Sequence, residues 1–275
     1  MFKLLDAGFT RLRKSKAFLA VIIFTVVLAL FMVYSQYSEM KTYNQVEELD
    51  RSLMNNITVT GIVIATFTSL FVGREYSDGT LRNKIIVGCS RTKIYLSNLI
   101  LVISTSILAE ILHLAVVAAV GIPLLGGLVM SAKSFALVLL CYTGIILAFS
   151  AIFTFIAMVI SNKTIISIVS ILLAFGLMMI AMTLFSKLEA PEYQQVGFLN
   201  ESGEMEFKEE KNPKYLTPEQ REVYQNIVNA IPSGQAFMVA GGYEIDFRIL
   251  PLYSLADVII FTGIGLYVFN KKELN

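Results

Sequence analysis

Tryptophan is absent from this 275-residue chain, histidine occurs once and cysteine twice. One histidine, His113, excludes the zinc chemistry of an HExxH helix, which needs two. Cys89 in a basic loop and Cys141 inside an apolar run give no disulfide framework. No GxxxxGKS/T loop is present to cradle a nucleotide phosphate, and no GxSxG elbow to raise a serine nucleophile. No catalytic residue, metal site or cofactor of its own is therefore expected. Charge is sparse as well: 16% of residues are charged, where soluble domains carry about 25%. Without tryptophan, anchoring at a membrane–water boundary falls to the twelve tyrosines and to Lys and Arg.

What remains is apolar. Hydrophobic residues make up 56% of the chain, mean hydropathy is +0.69, and runs long enough to cross a bilayer recur six times. The fold class read from this is an all-α polytopic membrane protein. Residues 1–16 place Phe2, Leu5, Phe9 and Leu12 on one stripe, with Arg11, Arg13, Lys14 and Lys16 on the other side, the pattern of a helix lying in the interface. Five spans within 17–185 follow: 17–35, 57–73, 94–120, 135–160 and one ending near Phe185. The sixth occupies 251–270, with a short tail at 271–275. The first apolar run lacks a small-residue cleavage site before Tyr34 and reads as a retained span.

Charge orients these spans. With the N-terminus in the cytosol, the inner segments hold thirteen of the 22 Lys and Arg against four acids, and the outer segments nine against fifteen. Short inner loops rich in Lys and Arg satisfy the positive-inside rule, so both termini are expected in the cytoplasm. The outer loop at 36–56 carries Glu39, Glu47, Glu48 and Asp50. The outer segment 186–250 reads as a small α+β extracellular domain. In it, Val196–Leu199 and Met205–Phe207 flank the turn Asn200-Glu201-Ser202-Gly203 as a hairpin. Thr217-Pro218 starts a helix whose apolar face is Val223, Tyr224, Ile227 and Val228 and which stops before Pro232.

The most structured polar stretch is the basic loop at 74–93. Asp78 is placed to cap a short helix, Gly88 to end it left-handed, and Ser90 to cap the next span. Leu81 and Ile85 share a face that Ile86 and Val87 widen, while Arg82, Asn83 and Lys84 point elsewhere. A level amphipathic helix of this kind can grip lipid phosphates or another protein.

Within the spans, Asp257 lies about five residues into the sixth, near the outer headgroups, where it is expected to reach the interface or a donor of the outer domain, and Glu110 and His113 lie one turn apart well inside the third. Ionisable groups at that depth are costly. The pair reads either as a proton or substrate site, or as a packing device through a mutual hydrogen bond or bonds to neighbouring hydroxyls. Thr66 and Ser69 in span two, and Phe175, Met178 and Met182 in span five, are either packing residues or the wall of a passage suited to varied apolar ligands.

The amphipathic start, the six spans, FVGREYSDGTLRNKIIVGCSRTKIYLSN after span two and the outer domain together resemble the ABC type-2 permeases, over nearly the whole chain. Glu75, Gly79-Thr80, Gly88 and Ser90-Arg91 stand as in the bacterial peptide and drug exporters of that class, and Ile231-Pro232-Ser233-Gly234-Gln235 is similar as well. The resemblance implies a permease subunit in a bacterial plasma membrane, working as a pair (homodimer or close paralogue) with two copies of a separate ATPase that binds the ATP and Mg. It implies that Leu81, Arg82, Lys84, Ile85, Ile86 and Arg91 contact the ATPase. Spans two and five would then wall the path at Thr66, Ser69, Phe175, Met178 and Met182. The cargo it suggests is an amphipathic antimicrobial or toxin peptide, with drugs or lipids as the alternative and no nucleic-acid partner. The residues also leave open an ion-coupled transporter using Glu110 and Asp257, and an intramembrane enzyme using Glu110 and His113.

Overall fold

The computed structural model describes residues 1–43, 49–199, 205–241 and 249–272. Glu47, Glu48, the turn Asn200–Gly203 and Glu273 lie outside the described residues. The first helix, α1 (Phe2–Arg13), leads through a break at Lys14-Ser15 into α2 (Lys16–Tyr43). Next come α3 (Leu49–Met54), α4 (Ile57–Phe71), α5 (Gly73–Ser77) and α6 (Thr80–Ile86). Three long helices follow, α7 (Arg91–Leu125), α8 (Ala132–Val159) and α9 (Lys163–Leu188). The strands β1 (Tyr193–Leu199) and β2 (Met205–Lys211), α10 (Pro218–Ala230), α11 (Pro232–Ala240) and α12 (Leu250–Lys271) complete the order.

Among the described residues, six segments are long and apolar enough to cross a membrane: α2, the run Leu49–Ser77, α7, α8, α9 and α12. Their mutual core is aromatic, with Phe67, Tyr95, Tyr142, Phe149, Phe153 and Phe269 fully enclosed. Lateral faces of α2, α9 and α12 stay uncovered by protein, at Ile23, Phe31, Leu172, Met179, Ile259 and Ile264 among others, as expected of helices whose solvent is lipid. The first span runs eight residues past the expected end at Ser35. The extra turns are held because Gln36 is buried and accepts a hydrogen bond from Ser52 of α3. The third span continues to Leu125 and carries Pro123 in its last turn.

The hairpin forms in register from Tyr193↔Lys211 to Leu199↔Met205. Thr217 and Gln220 close a reciprocal capping box on α10, with Pro218 at its first position. The apolar face expected on α10 is only partly used: Val228 is buried, whereas Val223 and Ile227 are exposed. The helix is rolled so that Val228 meets α11. There Gly234 allows contact with the Val228 carbonyl, since a Cβ at Gly234 would stand 2.2 Å from that oxygen. Gln235 then donates to Asn229 O at 2.8 Å and accepts from Ser254 on α12 at 2.5 Å, tying this segment to the last span. The Ile231–Gln235 motif is thus a joint.

Candidate functional site

The turn after α4 buries a carboxylate. Glu75, on α5, has no exposed side-chain surface, and three elements distant in sequence converge on it. Arg11 of α1 and Lys84 of α6 both donate to Oε1, and Asn98 of α7 donates to Oε2 at 3.0 Å. The Arg11 guanidinium also stacks over the Phe71 ring, 4.1 Å from its centroid, an arrangement favoured by the ring quadrupole. A buried carboxylate is tolerated when opposite charge and hydrogen bonds replace its water, and here they come from three helices. Glu75 therefore pins α1, α6 and α7 to the end of α4.

The path of the chain explains how α6 reaches this hub. Gly79 takes a left-handed conformation (φ 65°) and turns the chain sharply, and the Thr80 hydroxyl donates back to Glu75 O at 3.2 Å. The expected cap by Asp78 is not made: no side chain caps α6, and Asp78 instead ends α5. At the far end Gly88 (φ 90°) closes α6, with Gly88 N bonded to Ile85 O at 2.9 Å and Cys89 N to Lys84 O at 3.0 Å. The left-handed ending expected at this glycine is thus a Schellman motif with both of its bonds made. Ser90 occupies the capping position of α7 in extended conformation, but its hydroxyl accepts no bond.

On α1 the packed face is Leu4, Gly8, Phe9 and Leu12, while Phe2 is 89% exposed. Gly8 lies so near Leu101 that a Cβ would approach its Cδ1 to 2.5 Å. Arg11, expected to face away from the apolar stripe, turns inward because the buried Glu75 charge lies there.

A second tie sits at the same end. Lys272 Nζ donates to Tyr76 OH at 2.9 Å and to Met158 O at 3.2 Å, and lies 4.4 Å from the Tyr76 ring centroid. Arg91 donates to the carbonyls of Phe269 and Lys272, capping the end of α12. Burial, and then the neighbouring Arg91 charge, push the Lys272 amine down to about 8.

The residues expected at an ATPase contact are therefore divided. Leu81 is buried, Ile85 packs against the core, Lys84 holds Glu75 and Arg91 holds α12. Arg82 is exposed, Ile86 is 72% exposed and Val87, beside it, 83%. The hydroxyls of Thr66 and Ser69 donate to carbonyls of their own helix, Ile62 O and Thr66 O. Phe175 and Met182 are exposed on α9, Met178 is half-buried, and α9 packs against α4.

Farther along α7, Glu110 and His113 do not bond to each other. Glu110 accepts from Asn56 Nδ2 at 2.9 Å, and His113 Nε2 lies 3.5 Å from Ser52 O. Among the described residues no donor of the outer segment reaches Asp257 Oδ2, which is buried without a hydrogen-bond partner, and Asp257 is not among the residues lining the cavity at Glu110. The residues missed by sequence reasoning are Asn98, Asn56 and Lys272, together with the inward role of Arg11. Asn98 and Asn56 carried a faint signal, being amides inside or at the mouth of apolar runs, where each unpaired polar group is costly.

Six apolar segments, tied at one end by a buried carboxylate and its cations, define a multi-pass membrane protein. Residues 4–188 match the family described as ABC-2 family transporter protein, and the chain belongs to that family. It is thus the membrane transport subunit of a system whose ATPase is a separate subunit. No curated protein matches the chain.

Proposed function

We propose that this chain is the permease of an ATP-driven exporter in which the ATPase seats on the tip of α6. The observation that carries this reading is the division within one short helix. Leu81, Ile85 and Lys84 lock it to the bundle, while Ile86 and Val87 stand apolar and exposed at a polar end. Two such residues side by side fit a complementary pocket on a partner. Lys84 and Arg91, first expected to touch the ATPase, act from behind the contact. A push on α6 reaches α1, α4 and α7 through Glu75, because Arg11 of α1 and Asn98 of α7 bond its carboxylate and α4 ends just before it.

The orientation proposed is α6 and both termini in the cytoplasm, on the charge asymmetry of the loops. The segment 186–250 is then extracellular. The uncovered face of α9, with Phe175, Met179 and Met182, is proposed to meet a second permease copy and to border the path, while Ser69 of α4 is fully buried behind it and Thr66 faces the groove between α2 and α4. The cargo proposed is an amphipathic peptide, which suits a methionine-rich wall. Co-expression with an ABC ATPase that copurifies with the chain tests the docking surface. Ile86→Asp with Val87→Asp should abolish copurification and cargo-stimulated ATP hydrolysis while leaving the permease folded. Full retention of both would remove the α6 tip as the contact.

A further inference from the structure

Outside the Glu75 junction, the strongest unsatisfied chemistry lies where α2, α4 and α7 meet. Asn56, Glu110 and His113 line a cavity of about 30 Å³, and their side chains are 4%, 8% and 1% exposed. With Glu110 ionised and the His113 ring neutral, the atoms left over are all acceptors. Glu110 Oε1 and Asn56 Oδ1 are buried without a hydrogen-bond partner, and so is His113 Nδ1. A carbonyl only accepts, so His113 Nε2 facing Ser52 O carries the ring hydrogen, and Nδ1 of the neutral ring is bare.

Several neighbouring donors are committed elsewhere, and the Thr25 hydroxyl, which also lines the cavity, bonds none of the three acceptors. Thr60, Thr105 and Ser106 donate to carbonyls of their own helices, and the Tyr142 hydroxyl donates to Leu53 O and Met54 O. Among the described residues no cation pairs with Glu110. The cavity shares Val21 and Val63 with an apolar groove of about 360 Å³ between α2 and α4. That groove is bounded by Ala20, Phe24 and Ile62 and reaches the outside of the bundle, where Phe24 is exposed.

We propose that the cavity and groove form a binding site for a cationic amphiphile bearing a primary amine. Its ammonium group presents three N–H donors to the three acceptors and its charge to Glu110, and its apolar chain lies in the groove. An ammonium head is about the size of the water molecule that a cavity of this volume holds. An unpaired carboxylate in an apolar surround gains most from a ligand that brings both charge and donors. This deepens the export reading by naming the class of cargo and rests on it for that role; binding itself needs no ATPase.

The test measures binding of dodecylammonium, dodecyltrimethylammonium and dodecanol to the full chain in phosphatidylcholine nanodiscs, by native mass spectrometry. The primary amine should bind at least tenfold tighter than the other two, because one lacks N–H donors and the other lacks charge. Glu110→Gln should erase that preference. Val63→Trp, which fills the groove from a half-exposed position, should weaken dodecylammonium binding by a similar factor and serves if Glu110→Gln fails to fold. Equal binding of the three probes, or an unchanged preference in a folded Glu110→Gln, would overturn the site. Displacement of the amine when phosphatidylethanolamine is added to the nanodiscs would assign the site to bilayer lipid and overturn the cargo role. None of these outcomes depends on the α6 contact, whose failure shows in copurification of the ATPase.

Discussion

Replacing Glu75 by Gln keeps the shape of the side chain and removes the charge that gathers Arg11, Lys84 and Asn98. The carboxylate is fully enclosed, whereas the Arg11 and Lys84 side chains keep 31% and 23% of their surface in contact with solvent. Hydrogen bonds to a charged group contribute about 1.5–3 kcal/mol each, and breaking a buried ion pair costs about 3–5 kcal/mol. Partial exposure lets both cations recover some hydration, and the lost carboxylate no longer bears its own desolvation. A net loss of about 3 kcal/mol is therefore expected, toward the lower end of that range. The new amide also sets an N–H group against Asn98 Nδ2, donor facing donor, or turns it toward the two cations. The loss should be local. Amide hydrogen exchange in residues 2–13 and 80–86 should speed up by about two orders of magnitude, the factor that 3 kcal/mol buys in an opening equilibrium, while α8 stays protected. Because Arg11 and Glu75 share one interaction, Arg11→Met added to Glu75→Gln should cost little more than Glu75→Gln alone. Unchanged exchange in both helices, or fully additive losses, would refute the role of Glu75 as the common tie.

The proposed topology is checked with the native thiols: Cys89 is half-buried in the α6–α7 turn and Cys141 is buried. An impermeant maleimide should label Cys89 in inverted vesicles but not in intact cells, and Cys141 in neither; labelling from outside would reverse the orientation. A lysine whose pKa is lowered in the folded state leaves the unfolded chain with more bound protons between about 8 and 10.5. Wild type should therefore gain thermal stability over Lys272→Met as pH rises through that window, and a difference independent of pH would contradict it. Gln235→Leu removes the bonds to Asn229 O and Ser254 and should destabilise by about 1–3 kcal/mol, read as a lower unfolding temperature of the purified permease. Gly8→Leu should lift α1 from Leu101 and raise proteolysis within residues 2–13, with α7 to α9 unaffected.

The spans were legible because hydropathy over twenty residues needs no partner to be understood. The Gly88 ending was legible for a related reason, since a left-handed helix terminus is set by local backbone sterics. The Thr217 cap, followed by Pro218, belongs to the same kind. Asp78 failed as a cap because Gly79 itself takes the capping position, and its positive φ turns the chain where a side-chain cap would otherwise be needed. Arg11 failed for a different reason. On an isolated helix it belongs to the polar face, and only the buried charge of Glu75, sixty-four residues later, decides that this arginine turns inward. Asn56 and Glu110, fifty-four residues apart, were likewise invisible as a pair. Long-range polar contacts leave no periodic trace, so the membrane architecture could be read and the junction could not.

That junction bears directly on how a pull on α6 would act. A basic loop held only by lipid would yield along its own length, and force on its tip would dissipate in the headgroups. Here Lys84 points into the protein, and Gly79 and Gly88 close the helix at both ends. On the proposed contact, the exposed tip formed by Ile86 and Val87 would be the outer arm of a short lever whose inner arm ends on Glu75. Arg11 and Asn98 hold the same carboxylate, so α6 cannot move far without either shifting α1 and α7 with it or parting an ion pair with the enclosed carboxylate. Since the second choice costs about 3–5 kcal/mol, small displacements should carry all three elements together. A charge-neutral hub that preserved folding but separated α6 from α7 would then uncouple ATP hydrolysis from transport and leave the docking of the ATPase intact.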